Sequence, residues 1–173
     1  MNRHFYDLMY RWGAPWEGGP REELVDLVSR GRLTPRSPGS RAIDLGCGSG
    51  ANVAFLAKYG FDVTGVDFSP VALKKARRLL ATQGVTAHLV QGDLTASSLG
   101  DVERPYDLLV DYGTLDDLTG TRRRAMADNI VRLSSHGSQF LLWCFYGNPA
   151  SLPRISLSGA SRAFAGFAHG EEV

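Results

Sequence analysis

Cysteine, long apolar segments and an excess of charge of either sign are all scarce in this sequence of 173 residues. Its two cysteines, Cys47 and Cys144, indicate neither a disulfide framework nor a paired metal site, so we expect no bound metal. The longest apolar run spans the seven residues 140–146, whereas about 18 are needed to cross a bilayer. Lysine and arginine total 19 and aspartate and glutamate 18, which gives no support to a nucleic-acid-binding surface.

The length and composition favour one folded domain over residues 1–173. Hydrophobic residues make up 43% of the chain and charged residues 21%, which excludes an intrinsically disordered protein. The amino terminus has no apolar core of a signal peptide. We therefore expect a cytoplasmic protein without a membrane partner.

Strand-like apolar runs alternate with helical patterns between residues 41 and 146, which predicts an α/β fold with a doubly wound, mostly parallel sheet. Ser69 and Pro70 predict a helix start, while Gly60, Gly84 and Gly137 are interpreted as left-handed ends of helices. The basic runs 74–78 and 122–124 are interpreted as solvated helix faces. The predicted strands are 41–45, 61–66, 86–90, 106–110 and 139–146, and the predicted helices are about 21–30, 50–59, 70–83 and 121–135.

A glycine-rich loop joins the first predicted strand to the next helix, in the order Asp44-Leu45-Gly46-Cys47-Gly48-Ser49-Gly50. Glycines let the backbone turn tightly and let a ligand approach it closely. Gly46, Gly48 and Ala51 also satisfy the dinucleotide pattern G-x-G-x-x-[GA], and Asp67 follows Gly46 by 21 residues. The loop alone therefore leaves both nucleotide classes open.

The wider series of acids and glycines distinguishes the two classes. Asp44 precedes the G-x-G-x-G loop, Asp67 ends the second strand, and Gly92-Asp93-Leu94 follows the third. Over residues 41–146 this series resembles the class I S-adenosylmethionine-dependent methyltransferases. The resemblance implies a Rossmann-like sheet with strand order 3-2-1-4-5 and S-adenosylmethionine as the cofactor.

The resemblance also implies roles for individual residues at the carboxyl ends of the strands. Gly46, Cys47, Gly48 and Gly50 would form the loop under the methionine portion and ribose, and Asp44 would attract the cofactor's amino group. Asp67 would accept hydrogen bonds from the ribose hydroxyls, for which a carboxylate is suited. Around the adenine, the expected contacts are Phe68, Asp93 and the backbone of Leu94.

The acceptor side has weaker candidates. Asp111 and Tyr112, after the fourth strand, could orient or deprotonate an acceptor, or could be structural. Aromatic residues are concentrated in the first sixteen positions, which resemble the N-terminal cover of small-molecule methyltransferases of the thiopurine and tellurite-resistance types. That resemblance makes Trp16 a cofactor contact. The acceptor-pocket candidates are Tyr6, Tyr10, Trp12 and, after the fifth strand, Tyr146.

The predicted organisation is an N-terminal aromatic and helical cover (1–40), a cofactor-binding core (41–146) and a short C-terminal segment (147–173) that leaves little room for the family's last strands. The expected function is methylation of a small-molecule sulfur, oxygen or nitrogen atom. Two alternatives remain open at this point. One is an inactive domain that binds S-adenosylmethionine, and the other is an NAD-binding oxidoreductase.

Overall fold

A computed structural model describes residues 3–100, 102 and 105–144. In this part of the chain, five parallel strands form one sheet in the order β3-β2-β1-β4-β5, which confirms the predicted fold. The strands are β1 (Arg41–Leu45), β2 (Asp62–Asp67), β3 (His88–Gln91), β4 (Tyr106–Tyr112) and β5 (Ser134–Trp143). The helices are α1 (Arg3–Trp12), α2 (Glu22–Ser29), α3 (Ala51–Lys58), α4 (Pro70–Gln83) and α5 (Gly120–Arg132).

The sheet is covered on both faces, because the helices α2 to α5 pack apolar side chains against it. One face packs against α2, α3 and α4 through residues such as Leu24, Leu56 and Leu73. The other packs against α5 through Met126 and Ile130. The central strands β1 and β4 are buried between the two layers, so their carboxyl ends are held rigidly at one edge of the sheet.

The turn between β2 and α4 has the capping chemistry that the sequence predicts. Ser69 Oγ accepts a hydrogen bond of 3.1 Å from the backbone N–H of Ala72, and Pro70 occupies the first helical position. Gly84 ends the helix in a left-handed conformation. The Ser69 cap fixes where α4 begins, two residues after Asp67 at the end of β2.

The prediction for the fifth strand is wrong at its start. Helix α5 ends at Arg132 and β5 begins at Ser134, so Gly137 lies inside the strand rather than at a helix end. At φ +87°, Gly137 accommodates an irregularity in which β4 advances from Tyr106 to Leu108 while β5 advances from Ser134 to Gln139. Only glycine adopts this conformation readily, so the same residue type serves a bulge here and a cap elsewhere.

The predicted end of the fifth strand at Tyr146 and the C-terminal segment 147–173 lie outside the described residues. None of the helices within residues 3–100 and 105–144 is long and apolar enough to cross a membrane.

Candidate functional site

A cleft of about 640 Å³ opens at the carboxyl ends of the strands, beneath the N-terminal segment. Such a position is where open α/β sheets bind ligands. The cleft is lined by Tyr6, Tyr10, Pro15, Trp16, Arg21, Gly46, Asp67, Phe68, Gly92, Asp93, Leu94, Thr95, Tyr112, Gly113, Thr114, Asp117, Leu118, Arg122 and Trp143. Nine of the residues selected from the sequence are in this set: Tyr6, Tyr10, Trp16, Gly46, Asp67, Phe68, Asp93, Leu94 and Tyr112.

The glycine loop is pressed against the segment that follows β4. The backbone N–H groups of Gly46 and Cys47 donate to the carbonyl of Val66 at 2.8 and 3.0 Å, which turns the chain sharply after β1. Gly46 has φ +84°, and a Cβ atom there would lie 2.0 Å from Thr114 Oγ1. That hydroxyl donates to the carbonyl of Leu45 at 3.1 Å. No side chain larger than hydrogen fits at Gly46 without displacing this segment.

Asp67 is buried at the end of β2 and lines the cleft. Its two carboxylate oxygens accept hydrogen bonds of 2.8 Å from the backbone N–H groups of Gly48 and Ser69. Burial raises the pKa of Asp67, while these two hydrogen bonds oppose the rise. Since a carboxylate offers about four lone-pair sites, Asp67 can also accept hydrogen bonds from a ligand.

Asp44 lies behind the loop and is only 2% exposed. Its Oδ2 atom is buried without a hydrogen-bond partner. The pKa of Asp44 is raised to about 8, chiefly by burial and also by the negative charges of Asp111 and Asp67, while the positive charge of Arg21 opposes the rise. One oxygen of the buried Asp44 carboxyl group therefore has no hydrogen-bond partner, and the charge of Arg21 only partly offsets the effect of burial.

Cys47 is buried between Asp44 and Asp67, and burial raises the pKa of its thiol well above the ordinary value. A thiol in this environment stays protonated and is a poor nucleophile. Cys47 is consequently a small loop residue, as its place between two glycines indicates.

Asp93, which follows β3, also lines the cleft, as do Phe68 and Leu94. Its Oδ1 accepts hydrogen bonds from the Thr95 N–H and hydroxyl at 2.9 and 2.7 Å, and its Oδ2 lies 3.5 Å from Arg122 Nη2. Burial tends to raise the pKa of Asp93, but the Thr95 hydrogen bonds and the Arg122 charge together lower it. Asp93 is therefore ionised at neutral pH.

The interpretation of residues 122–124 as a solvated face holds for Arg124 and is incomplete for Arg122 and Arg123. Arg122 lines the cleft and pairs with Asp93, and Arg123 donates from Nη2 to the carbonyl of Asp116 at 2.9 Å. Both are in the first turn of α5, which begins beside the cleft. Helical periodicity showed that these residues face away from the core, but not that a cleft lies there.

The two acceptor-side candidates on β4 differ in their surroundings. Asp111 is fully buried, and its oxygens accept hydrogen bonds of 2.8 and 2.9 Å from the backbone N–H groups of Thr114 and Leu115. Burial raises its pKa to about 7, although these bonds oppose the rise. Asp111 thus holds the loop that carries Thr114. The ring of Tyr112 lines the cleft, with the Arg21 guanidinium 5.7 Å from its centroid.

An aromatic cluster from the N-terminal segment covers the loop. The ring of Tyr6 lies 5.6 Å from Trp16 and 5.5 Å from Phe68, and its hydroxyl donates to Asp117. Trp16 Nε1 donates to the Tyr10 hydroxyl at 3.1 Å. A Cβ atom at Gly48 would lie 2.6 Å from that hydroxyl, so Tyr10 lies directly over the loop.

Several selected residues do not line the cleft. Trp12 is 84% exposed on the outer side of α1, away from the cluster. Asp44, Cys47, Gly48, Gly50 and Asp111 form the layer beneath the cleft surface, and Tyr146 lies outside the described residues. Sequence reasoning missed Arg21, Thr114, Asp117 and Leu118, which belong to connecting segments without periodicity. Within residues 3–100 and 105–144, no group of three His, Cys, Asp or Glu side chains could hold a metal ion.

The sequence and the fold were compared with those of known proteins. A family model described as "Methyltransferase domain" matches residues 42–137. The 2-heptyl-1-hydroxyquinolin-4(1H)-one methyltransferase of Mycobacteroides abscessus is 24% identical over 132 residues, which are 76% of this chain and 56% of that protein. The ribosomal protein L11 methyltransferase of Thermus thermophilus is 31% identical over 158 residues, which cover 90% of this chain and 59% of that protein.

Two solved structures extend the comparison. One, described as "Conversion of a Disulfide Bond into a Thioacetal Group during Echinomycin Biosynthesis", has a TM-score of 0.70 and 30% identity, covering 80% of this chain and 58% of that one. A TehB-like SAM-dependent methyltransferase from Corynebacterium glutamicum has a TM-score of 0.58 and 25% identity, covering 79% of this chain and 70% of that one. The chain thus spans less than three-fifths of the length of both curated relatives.

Proposed function

Because the chain belongs to the class I S-adenosylmethionine-dependent methyltransferases, we propose that it transfers the methyl group of S-adenosylmethionine to a sulfur, oxygen or nitrogen atom of a small molecule. One observation carries the proposal. The glycine loop, Asp67 and a wall of aromatic rings all meet in a single cleft of about 640 Å³.

The inner part of the cleft fits the methionine and ribose portions of the cofactor. Asp44 has a buried Oδ2 without a partner beside the glycine loop, and a cationic amino group would satisfy it. Asp67 retains acceptor capacity for the two ribose hydroxyls, since its present bonds use one position on each oxygen. At Gly46, the glycine loop has no side chain that would occupy this part of the cleft.

The outer end of the cleft would hold the adenine. Phe68 offers a flat apolar surface, and Asp93 is an ionised acceptor for the exocyclic amine. The backbone N–H of Leu94 would serve a ring nitrogen. Arg122 would keep Asp93 oriented, because it holds one carboxylate oxygen while Thr95 holds the other.

The same geometry argues against the NAD-binding alternative. In dinucleotide-binding folds the pyrophosphate lies against the second glycine at the start of the following helix. Here the Tyr10 hydroxyl occupies that position over Gly48. The backbone N–H of Gly48 donates to Asp67 Oδ2 at 2.8 Å and is therefore not available to a phosphate. A sulfonium cofactor needs no phosphate site at this loop, whereas a pyrophosphate does.

The described cleft residues favour an acceptor that is already nucleophilic. When bound, the cofactor would supply an electrophilic methyl group: the acceptor atom bonds to the methyl carbon as the carbon–sulfur bond breaks, and S-adenosylhomocysteine leaves. Burial raises the pKa values of the Tyr6 and Tyr112 hydroxyls, so both stay protonated at neutral pH. Asp111 is occupied by backbone N–H groups. The protein would then contribute alignment, worth ~7–11 kcal/mol at best, and exclusion of water.

The aromatic walls favour an apolar or aromatic acceptor. Tyr6, Trp16, Tyr112 and Trp143 all line the cleft. A thiolate, an amine or an acidic phenol on such a molecule would need no strong base. The match to an enzyme named for a hydroxyquinolone supports this class. Other relatives are named for ribosomal protein or ribosomal RNA, so the choice of a small acceptor depends on the cleft itself.

Calorimetric titration with S-adenosylmethionine, S-adenosylhomocysteine and NAD tests the cofactor assignment. We expect the two adenosyl sulfur compounds to bind and NAD not to bind. Asp67→Ala should weaken binding by about 1.5–3 kcal/mol, since hydrogen bonds to a charged acceptor have this magnitude. Asp67→Asn keeps the side-chain shape for a folding control. Asp26→Ala, at an exposed aspartate paired with Arg30, should bind normally. Preference for NAD would overturn the assignment.

Methyl transfer needs a second measurement. The chain is incubated with methyl-labelled S-adenosylmethionine and a panel of aromatic thiols, phenols and amines, and the labelled products are separated. We expect transfer to at least one aromatic nucleophile. Cofactor binding without transfer across the panel would instead support an inactive S-adenosylmethionine-binding domain.

A further inference from the structure

Arg21 is a cation of the cleft wall to which the proposed function gives no role. It is the N-cap residue of α2, and it lines the cleft. Among the described residues that line the cleft, the other cation is Arg122, which pairs with Asp93. Within the same part of the chain the guanidinium of Arg21 forms no ion pair, not even with the adjacent Glu22 and Glu23. Arg21 therefore brings to the cleft a positive charge that no carboxylate neutralises by direct contact.

Two contacts hold Arg21 beside the glycine loop. Its backbone N–H donates to Asn52 Oδ1 at 3.0 Å. Asn52 is in the first turn of α3, two residues after Gly50, the last glycine of the loop. The guanidinium carbon lies 5.7 Å from the centroid of the Tyr112 ring, within the range of about 6 Å for a cation–π contact. The start of α3 and the end of β4 together determine where the Arg21 side chain lies.

The guanidinium of Arg21 is also close to the buried Asp44. Asp44 on β1 pairs in the sheet with Val110 on β4, two residues before Tyr112. Burial raises the pKa values of Asp44 and Tyr112, and the positive charge of Arg21 opposes both rises. Asp44 Oδ2 has no hydrogen-bond partner. One region of the site therefore contains a cation without an ion pair and a carboxyl group with an open acceptor position.

An α-amino acid group has the charges that complement this pair. Its ammonium and carboxylate groups are attached to one carbon atom, so a protein that binds both needs an anion and a cation close to each other. A guanidinium presents its N–H groups in a planar fork that matches the two oxygens of a carboxylate. Asp44 would accept hydrogen bonds from the ammonium group. The methionine portion of S-adenosylmethionine ends in an α-amino acid group.

We propose that Arg21 makes the cleft selective for adenosyl ligands with an intact α-amino acid group, by binding the carboxylate while Asp44 binds the amino group. The inference rests on the proposed function, because it places the cofactor in this cleft. It adds a residue that decides which adenosyl compounds the cleft accepts. A carboxylate on the acceptor is the other source of the same chemistry. The position of Arg21 beside Asp44 favours the cofactor, since an acceptor carboxylate would make no use of Asp44.

Titration calorimetry with two matched ligands tests the proposal. S-adenosylhomocysteine has both charged groups, and S-adenosyl-3-thiopropylamine is the same molecule without the carboxylate. Both keep the amino group, so an indirect effect through Asp44 changes the two affinities alike, and their ratio isolates the carboxylate. We expect the unchanged chain to bind S-adenosylhomocysteine at least about tenfold more tightly, since hydrogen bonds between charged groups have this magnitude. In Arg21→Gln the ratio should fall below about twofold.

Three variants complete the experiment. Arg21→Lys keeps the charge but not the planar fork, so it should retain only part of the preference. Arg30→Gln is the matched control, because Arg30 is an exposed arginine at the other end of α2, pairs with Asp26 and does not line the cleft. It should keep the full ratio. The side chain of Arg21 makes no capping hydrogen bond to α2, so Arg21→Gln should leave the helix intact. Thermal unfolding followed by circular dichroism verifies that each variant is folded.

Two results would overturn the proposal and leave the proposed function standing. One is equal affinity of the unchanged chain for the two ligands, and the other is the same preference in Arg21→Gln as in the unchanged chain. In the second case, the chain saturated with S-adenosylhomocysteine is titrated with 2-mercaptobenzoate and its methyl ester. A loss of affinity for the carboxylate alone in Arg21→Gln would assign the residue to the acceptor. If the folded chain binds neither adenosyl ligand, the proposed function fails as well.

Discussion

Replacement of the buried Asp44 by asparagine should change how the stability of the protein depends on pH. The carboxyl group has a pKa of about 8 in the folded chain, against an ordinary value of 3.8, mainly because it is buried. Between these two values the folded chain binds a proton that the unfolded chain has released. The free energy of unfolding must therefore fall as pH rises from about 4 to about 8, and Asp44 contributes no further fall above that range.

The magnitude follows from the width of this interval. Each pH unit within it changes the free energy of unfolding by about 1.4 kcal/mol, so the change from pH 5 to pH 8 is about 3–4 kcal/mol. Asparagine has nearly the same shape and does not titrate. The stability of Asp44→Asn relative to the unchanged chain should therefore increase by that amount across the interval. Asp111 also has a raised pKa. Because it is present in both proteins, it contributes mainly to the pH dependence of stability that the two proteins have in common.

Urea unfolding is followed by circular dichroism at about pH 5, 6, 7 and 8, which span this interval. It measures directly the difference in unfolding free energy between the two proteins. If the two proteins lose stability in parallel over this interval, Asp44 is not buried as an uncompensated carboxyl group. Asp44 would then also not be the partner of a cationic ligand.

Three further predictions concern the cleft. Affinity for S-adenosylhomocysteine should rise with pH up to about 8 as Asp44 ionises, by at most tenfold per unit, and should be nearly flat in Asp44→Asn; titration calorimetry at several pH values measures this. Gly46→Ala should lose about 1–3 kcal/mol more stability in urea unfolding than Gly84→Ala, since both glycines have positive φ but only Gly46 would clash with a neighbour. Arg122→Ala should change the unfolding free energy by less than about 1 kcal/mol, because its ion pair is half-exposed; a larger loss would mean that Arg122 supports more than Asp93.

The sheet could be predicted from the sequence because its strands are short apolar runs separated by clear turn chemistry. Ser69, Pro70 and Gly84 specify the bounds of α4 by local interactions that require no knowledge of the tertiary structure. Gly137 failed as a guide because positive φ is equally compatible with a helix end and a bulge. The choice between them depends on pairing with β4, which is distant in the sequence.

Most of the cleft residues that the sequence predicted lie at or just after the end of a strand, and the others, Tyr6, Tyr10 and Trp16, belong to the aromatic N-terminal segment. Asp67 and Asp93 follow strands directly, whereas Asp117 reaches the cleft through a loop that folds back towards Tyr6. The orientation of Trp12 could have been found, since it lies two residues beyond Tyr10 and therefore about half a helical turn away from the face that Tyr10 packs. The number of aromatic residues alone does not show that Trp12 and Tyr10 lie on different faces of α1.

The attachment of α1 has a consequence for motion. A helix of ten residues is too short to be stable in water by itself, so α1 is ordered by its contacts with the rest of the chain. Those contacts are a few rings and hydrogen bonds, such as Tyr6 to Asp117 and Asp7 to Ser69, rather than a share of the main core. Its amide protons should exchange with solvent sooner than those of α4. A ligand in the cleft beneath should slow that exchange, because it binds the closed arrangement. The hydrogen-exchange rate of α1 would then report whether the cleft is occupied.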